Sequence, residues 1–202
     1  MRSILLLTCS PKGPAAYSRA MAEETAGRLA AADPDALVVH RDIAADPPPL
    51  PDAAFSAAVL GAAPADDPAF VASEALIREL EACDALVIGT PMHNYTVPAV
   101  LKAWIDQIVR IHRTFRSTQA GKVGILRDRP VFLVVASGGW FTRPSPAGTP
   151  AQPDFLTPYL RAALGTIGLT DVTVIALEGL TRGTEQVQRS LAAARTRLAE
   201  LV

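Results

Sequence analysis

Four chemically different side chains stand together directly after an apolar run of the sequence: Met92, His93, Asn94 and Tyr95. Methionine offers a soft apolar surface, asparagine a polar amide, and tyrosine an aromatic face with a polar tip. With Pro91 stiffening the chain just before them, this mixture fits the edge of a flat heteroaromatic ring. His93 is also a candidate for proton transfer, because histidine titrates near neutral pH. The simpler interpretation is that His93 lines a pocket without transferring a proton.

A second group of polar residues lies in the stretch TCSPKGPAAYSRA at positions 8–20. Ser10 and Ser18 supply hydroxyl groups, and the amides of Arg19 and Ala20 stand where a helix is expected to begin. The start of a helix has unpaired N–H groups and the positive end of the helix dipole, which suit a phosphate group. The alternative is that Ser18 only caps the helix.

The same stretch excludes several kinds of nucleotide site. It contains neither G-x-G-x-x-G nor G-x-x-x-x-G-K-[ST], so neither a dinucleotide held in the Rossmann manner nor a P-loop nucleotide is expected. Thr8, Cys9 and Ser10 stand where a metal-dependent phospho-acceptor domain would need acidic residues. The remaining interpretation is a monophosphate held by hydroxyls and amides.

The segment ASGGW at positions 136–140 gives a third candidate contact surface. Gly138 and Gly139 would let the backbone approach a ligand closely and present its amides, with a plain turn as the alternative. Trp140 and Phe141 follow in a proline-rich loop. Two large aromatic side chains in a surface loop suggest a cover over the site or a contact with a partner.

Composition and charge exclude several partners. The chain has 202 residues, half of them apolar, with a formal net charge of −1. It has no long run of like charges, so neither nucleic acid nor a membrane is expected as a partner. No apolar stretch is long enough to span a bilayer, and a cytoplasmic protein is expected. The histidines lack metal-ligand spacing, so no metal site is expected, and Cys9 and Cys83 are expected to be buried free thiols.

Short apolar runs alternate with segments of helical periodicity along the chain. Five runs rich in Val, Ile and Leu lack in–out alternation, which is typical of strands covered on both faces of a parallel sheet. These runs span 3–9, 36–40, 84–90, 130–136 and 171–177. Helices are predicted over 18–32, 70–82, 97–112, 154–167 and 184–201. Pro98 is expected in the first turn of the third helix and Thr184 as N-cap of the last.

This alternation predicts a single α/β domain over residues 1–202. Its expected core is a doubly wound, five-stranded parallel sheet of order 2-1-3-4-5 with helices on both faces. Ligands of such sheets bind beyond the carboxyl ends of the strands, near the switch in strand order. The loops after strands 1, 3 and 4 meet there, and they contain the three groups of residues described above. The proline-rich stretches 44–68 and 138–154 are expected to be irregular loops that act as lids or partner surfaces.

With these residues assembled, the sequence resembles the FMN-dependent NADH-azoreductases, a branch of the flavodoxin-like NAD(P)H:quinone oxidoreductases. The resemblance runs over nearly the whole chain. Its most specific parts are PM-x-N-[FY], LK-x-x-[FI]-D and a long C-terminal tail. In this chain they read PMHNY (91–95), LKAWID (101–106) and TPYLRAALGTIGLTDVTVIALEG (157–179). Weaker marks are YS (17–18), RDIAADPPPL (41–50), TFR (114–116) and ASGG (136–139).

The resemblance implies a flavodoxin-like fold and a binding site for tightly bound, non-covalent FMN. The residues implied to hold the phosphate are Ser10, Ser18, Arg19 and Ala20. Those implied to border the isoalloxazine ring are Pro91, Met92, His93, Asn94 and Tyr95, with Ala136, Ser137, Gly138 and Gly139 on its pyrimidine side. The resemblance also implies a homodimer whose active sites lie at the subunit interface.

The resemblance further implies a ping-pong reaction in which hydride passes from NADH or NADPH through flavin N5 to quinones and azo compounds. That chemistry belongs to the cofactor, so no dedicated catalytic side chain is expected. Tyr95, Phe115 and Trp140 are the candidate contacts of the aromatic acceptor. Two other functions remain open on the same fold: an electron carrier of flavodoxin type, and a flavin-free binding module.

The chain departs from the family pattern at several positions of the expected site. Ala20 stands where many members carry a second hydroxyl in the phosphate loop, and this loop is longer than usual. His93 replaces the tyrosine that is common in PMYNF. Ala136 and Ser137 replace the serine and arginine of SRGG, which removes a positive charge from the loop. These changes bear on flavin affinity, nicotinamide preference and substrate range.

Overall fold

Strands and helices alternate along the chain as the sequence predicts. The computed structural model describes residues 2–201, so Met1 and Val202, the ends of the expected domain, lie outside the described residues. The strands of the described range are β1 (Ser3–Thr8), β2 (Leu37–Asp42), β3 (Ala85–Pro91), β4 (Phe115–Thr118), β5 (Gly121–Gly124), β6 (Val131–Ala136) and β7 (Val172–Leu177).

A parallel sheet of five strands, in the order β2-β1-β3-β6-β7, forms the centre of the molecule within residues 2–201. Counted without β4 and β5, which pair as a separate antiparallel hairpin, this is the predicted order, and the prediction is confirmed. The register places Thr8 beside Gly89, and Pro91 beside Ala136. The carboxyl ends of β1, β3 and β6 therefore meet at one edge of the sheet.

Helices cover the sheet on both faces, as predicted. They are α1 (Tyr17–Ala30), α2 (Ala53–Leu60), α3 (Val71–Ala82), α4 (Ala99–Ile108), α5 (Thr157–Ile167) and α6 (Thr184–Ala199). Alternate side chains of a strand point to opposite faces, and the core divides accordingly. Leu5 packs with the core under α3, α4 and α5, which contains Trp104. Ile4 packs with the core under α1 and α6, which contains Met21.

Strand β2 is less buried than its sequence predicts. The run ALVVH at positions 36–40 predicts a strand covered on both faces, but Leu37 is 68% exposed, and Val38 and Val39 are exposed as well. Because β2 lies at the edge of the sheet, its side chains reach beyond the helices that cover the central strands. The prediction of burial on both faces is wrong for this strand.

The sequence prediction misses helix α2 and the β4–β5 hairpin. Helix α2 lies inside 44–68, where the prolines predict an irregular loop, but it begins just after the last proline of PPPLP. Asp52 caps it by accepting a hydrogen bond from Phe55 N at 2.8 Å. The hairpin strands are short and mostly exposed, so they carry no apolar pattern. The hairpin packs closely against the end of α5, because a Cβ at Gly124 would lie only 2.2 Å from Gly168 N.

The starts of α4 and α5 and the N-cap of α6 differ from the predictions. Helix α4 runs from Ala99 to Ile108 rather than over 97–112, and Pro98 is its N-cap rather than a residue of its first turn. Helix α6 has Gly183 as N-cap, so Thr184 is its first helical residue and the predicted cap is wrong. Helix α5 begins at Thr157, three residues later than predicted, and the ends of the other predicted helices lie within the usual spread of one or two residues.

A network of ions ties α3 to the chain that follows α4. The buried Arg110 donates to Glu74, and its guanidinium lies 4.0 Å from the centroid of the Phe70 ring. Arg113 donates two hydrogen bonds to Glu81, at 2.7 and 2.8 Å. These bonds from Arg113 hold the pKa of the Glu81 carboxyl below its usual value.

We expect the Arg113–Glu81 pair to make the free energy of unfolding depend on pH. Because the pKa of Glu81 is lower in the folded than in the unfolded chain, the unfolded chain binds a proton first on acidification. The pair therefore stabilises the fold at neutral pH, and this contribution is lost as pH falls through the folded pKa. Urea denaturation at pH 7 and pH 3 measures this effect. Between these two pH values the free energy of unfolding should fall less in Glu81→Gln than in the parent, by up to about 1 kcal/mol for a part-exposed pair.

The control for this prediction is Glu185→Gln, which removes an exposed carboxylate from α6. This variant should lose as much stability on acidification as the parent. An equal loss in Glu81→Gln would contradict the prediction.

Candidate active site

An open cleft of about 230 Å³ lies at the carboxyl ends of β1, β3 and β6. It brings together eight of the residues that the sequence predicts for the site: Ser10, Ser18, Pro91, Met92, His93, Ala136, Ser137 and Gly138. Six further residues, which the sequence does not predict for the site, also line the cleft: Pro11, Lys12, Ala16, Tyr17, Leu180 and Thr181. Leu180 and Thr181 follow β7. This strand lies at the edge of the sheet, away from the switch in strand order that predicts where ligands bind.

Helix α1 presents unpaired N–H groups to the cleft. Ala16, its N-cap, has extended backbone angles (φ −83°, ψ 128°) and makes no capping bond through its side chain. The first N–H groups of the helix, those of Tyr17, Ser18 and Arg19, therefore have no partner inside the helix. The Ala20 N–H differs, because it donates to Ala16 O at 3.0 Å. The prediction that Ala20 offers a free amide is wrong, and Ala20 does not line the cleft.

The two predicted hydroxyl groups both reach the cleft. Ser18 is the second residue of α1 rather than its N-cap, so the alternative that it only caps the helix is wrong. Within residues 2–201 its hydroxyl has no hydrogen-bond partner. Ser10 Oγ accepts a hydrogen bond from Lys12 N at 3.3 Å. Since none of the described residues that line the cleft is acidic, this end of the cleft favours an anion.

Arg19 contributes to the position of the helix rather than to the lining of the cleft. Its guanidinium donates to Asp42 Oδ2 at 2.9 Å and to Glu23 Oε1 at 2.8 Å. Asp42 is the last residue of β2, so the ion pair ties the first turn of α1 to the sheet. The amide of Arg19 is free for a ligand, while its side chain fixes the helix.

Gly89 permits the close approach of α1 to β3. A Cβ at this position would lie 2.8 Å from both Ser18 O and Ala22 Cβ. Such distances leave no room for a side chain, so only glycine lets the first turn of α1 lie against the strand. This contact sets the first turn of α1 against the carboxyl-terminal half of β3. The sequence signal was a glycine in an otherwise branched and apolar strand.

The turn after β3 is tight and strained. His93 and Thr96 exchange backbone hydrogen bonds, each of 2.9 Å, across Asn94 and Tyr95. Both central residues have positive φ, 49° for Asn94 and 69° for Tyr95. Asparagine adopts this conformation readily, whereas tyrosine does so at a cost. The turn places Met92 and His93 in the cleft lining and leaves Asn94 and Tyr95 exposed outside it.

The two glycines after β6 make room for side chains of the protein itself. A Cβ at Gly138 would lie 2.9 Å from Thr181 Cγ2, and one at Gly139 would lie 2.5 Å from Gln152 Oε1. Thr181 Oγ1 donates to Gly138 O at 3.0 Å. Among residues 2–201, no acceptor takes the Gly138 N–H, and Gly138 lines the cleft. Of the two glycines, Gly138 is therefore the one that presents an amide to a ligand.

The cysteines are buried free thiols, as predicted. Cys9 lies at the end of β1, directly before Ser10. Burial raises the pKa of the Cys9 thiol to about 12. The thiol is therefore protonated at neutral pH and is not a nucleophile for chemistry in the cleft.

The aromatic residues predicted to contact a substrate lie in different places. Trp140 lines a second cavity, of about 290 Å³, next to Gly139 and Gln152, with the Arg182 guanidinium 5.9 Å from its ring centroid. Tyr95 is 48% exposed beside the first cleft. Phe115 is buried at the start of the hairpin and lines neither cavity. The structure therefore brings Trp140 and Tyr95 near the site, but not Phe115.

Comparisons with known proteins agree with this geometry. A family model described as a flavodoxin-like fold matches residues 2–202. The chain belongs to this flavodoxin-like family. FMN-dependent NADH:quinone oxidoreductase 4 of Pseudomonas fluorescens is 46% identical over 198 residues, which cover 98% of this chain and 94% of that protein. FMN-dependent NADH:quinone oxidoreductase 2 of Cupriavidus pinatubonensis is 46% identical over 193 residues, which cover 94% and 92% of the two chains.

The fold is also that of a solved flavodoxin-like enzyme. The crystal structure of an FMN-dependent NADH-azoreductase from Bacillus anthracis in complex with FMN superposes with a TM-score of 0.80 and 21% identity. The match covers 100% of this chain and 99% of the other. The predicted flavodoxin-like fold and the predicted family are confirmed. None of the helices in residues 2–201 has the length and apolarity that crossing a membrane requires.

We expect Gly89→Ala to destabilise this flavodoxin-like fold and to displace Ser18. The added methyl group would overlap Ser18 O and Ala22 Cβ, and overpacking of this kind costs about 1–3 kcal/mol. Urea denaturation measures the effect. The matched control is Gly27→Ala in α1, where an added Cβ meets nothing within 4 Å and is expected to stabilise the helix by about 0.5–1 kcal/mol. A Gly89→Ala variant as stable as the parent would contradict the close-approach argument.

Proposed function

We propose that the chain is an FMN-dependent NADH:quinone oxidoreductase, which takes hydride from NADH or NADPH and reduces quinones and azo compounds. The observation that carries this proposal is the composition of the cleft from one end to the other. One end combines the unpaired N–H groups of α1 with the hydroxyls of Ser10 and Ser18. The other end combines the thioether of Met92 with the Gly138 amide. The names of relatives at 46% identity support the same function.

The residues of the cleft fit FMN at both ends. The unpaired helix amides and the Ser18 hydroxyl would bind a phosphate group, and Lys12 adds a positive charge nearby. Met92 and Leu180 give the lining apolar surface for a flat ring, and the Gly138 N–H would donate to one of its acceptor atoms. When bound, FMN supplies the centre that accepts and releases hydride.

The protein's own part in the proposed reaction is to position the flavin and the substrate and to exclude water from them. Met92 would cover part of the ring, while the helix dipole of α1 neutralises charge on the phosphate. His93 lines the cleft at the strained turn and is exposed, so it is placed to hold a substrate polar group. No dedicated acid–base pair is part of the proposal.

The aromatic acceptor is proposed to bind against Tyr95 and Trp140. Both are aromatic side chains with exposed surface, and each follows closely on residues that line the cleft. Flat aromatic side chains of this kind bind flat substrates by stacking. Phe115, which the sequence analysis grouped with them, is not included because it is buried under the hairpin.

The proposal includes a single domain over residues 1–202, a cytoplasmic location, and a homodimer with active sites at the subunit interface. Large apolar side chains that are strongly exposed in the single chain support association with a second copy. Examples are Leu50, Leu60 and Phe155. Exposed apolar surface of this kind gains free energy when a partner covers it.

The first test is the visible absorption spectrum of the purified protein after addition of FMN and removal of free ligand. We expect retained flavin bands that bleach when NADH is added under anaerobic conditions and return when a quinone is added. Flavin bands that persist after addition of NADH and of NADPH would contradict the proposed oxidoreductase activity and favour an electron carrier. Failure to retain any flavin would favour a flavin-free binding module.

We also expect Ser18→Ala to weaken binding of FMN about tenfold, because a hydrogen bond to a charged phosphate is lost. The affinity for riboflavin, which has no phosphate, should stay unchanged in the same variant. Titration of the apoprotein with each flavin, followed by quenching of flavin fluorescence, measures both affinities. An equal loss for FMN and riboflavin would contradict the assignment of Ser18 to the phosphate.

A further inference from the structure

Gln152 connects the two loops that border the ring end of the cleft. Its side-chain Nε2 lies 2.8 Å from Ser137 Oγ and 3.1 Å from Met92 Sδ. Ser137 follows β6 and Met92 follows β3, so one amide group spans both loops. Gln152 itself lies in the proline-rich stretch 138–154 and does not line the cleft.

The identity of the atom that faces both partners follows from their chemistry. The thioether of Met92 has no proton to donate and acts only as an acceptor. An amide oxygen in this place would face the sulfur without a hydrogen bond, whereas an amide nitrogen donates to it. The side-chain nitrogen of Gln152 is therefore the donor to Met92 and also to Ser137.

The backbone of Ser137 is occupied inside the protein. Its N–H donates to Leu177 O at 2.8 Å, and its carbonyl accepts from Leu180 N at 3.1 Å. The side-chain oxygen accepts from Gln152 Nε2 at 2.8 Å and from Gly139 N at 3.3 Å. A serine hydroxyl has two lone pairs and one proton. Both lone pairs are thus taken, and only the proton remains for a further bond.

The proton of the Ser137 hydroxyl has no acceptor among residues 2–201. Ser137 is 4% exposed and lines the cleft, and its hydrogen-bond partners in the described part of the chain are both donors. An acceptor for its proton must therefore come from a bound ligand or from solvent in the cleft. Lys12, the cationic side chain among the described residues of the lining, cannot accept this proton.

We infer that Gln152 is a positioning residue that holds the Ser137 hydroxyl as a hydrogen-bond donor to an acceptor atom of the flavin ring, an inference that rests on the proposed function. Reduction places negative charge on the acceptor edge of the ring. A donor fixed before reduction stabilises that charge without reorganisation. Ser137 thus binds the reduced flavin more tightly than the oxidised flavin and raises the midpoint potential.

The test uses the FMN-loaded protein and measures the midpoint potential of the bound flavin by redox titration against a reference dye. Ser137→Ala should weaken binding of reduced FMN about tenfold more than binding of oxidised FMN. For a two-electron couple this corresponds to a midpoint potential lower by about 30 mV. Gln152→Leu should lower the potential in the same direction but by less, because the hydroxyl keeps its proton and loses only its orientation.

A double variant separates positioning from packing. Since Gln152 is inferred to act through the Ser137 hydroxyl, adding Gln152→Leu to Ser137→Ala should change the potential no further. A further drop of the same size in the double variant would mean that Gln152 acts through Met92 or Gly139, and would overturn the inference. Ser145→Ala, in the same loop and away from the cleft lining, is the control and should leave the potential unchanged.

The inference and the proposed function fail in different ways. If the parent protein retains no FMN, both are overturned. If it retains FMN that NADH reduces, but Ser137→Ala keeps the parent potential, the proposed function stands and the inference alone is overturned. Thermal unfolding of each variant shows whether a changed potential comes from a folded protein.

Discussion

The hydrogen-bond ladder that joins β1, β3 and β6 determines where every part of the cleft lies. Its register places Thr8 beside Gly89, and Pro91 beside Ala136, so β3 and β6 end at the same level and β1 ends two residues before them. Met92 N extends the ladder by donating to Ala136 O at 2.8 Å. A shift of one residue would turn every side chain of a strand to the other face. The site and the core therefore depend on the same register.

The anion-binding end of the cleft exists because α1 is left uncapped. A serine or aspartate in place of Ala16 would satisfy one of the free N–H groups and would stabilise the helix by about 1 kcal/mol. It would also put a competing oxygen where the proposed phosphate site lies. The chain fixes the helix by other means: the absent side chain at Gly89 and the ion pair from Arg19 to Asp42. Stability is supplied by contacts behind the first turn, so its amides stay free.

Most of the fold and half of the site could be predicted from the sequence, because both follow from local patterns. The alternation of strand and helix patterns, joined by right-handed crossovers, favours the observed sheet order, and the switch point predicts which loops meet. What the sequence could not predict depends on contacts between distant residues. Gln152 reaches Ser137 and Met92 only after the long loop has folded back, and no local signal marks it. Ala20 was wrongly predicted to present a free amide. A shift of one residue in the position where α1 begins decides whether that N–H is free or bonded to Ala16 O.

The long loop after β6 acts differently from the mobile lid that its length suggests. Gln152 N donates to Trp140 O at 2.8 Å, and Phe155 N donates to Tyr95 O at 2.9 Å. The first bond closes the loop at its base, and the second holds the strained turn at Tyr95 in place. These bonds fix the chain beside the cleft without help from a ligand, so less conformational entropy is lost when a ligand binds. Under the proposed function, substitutions at positions 143–151 would alter the choice of acceptor while Gln152 keeps its bonds to Ser137 and Met92.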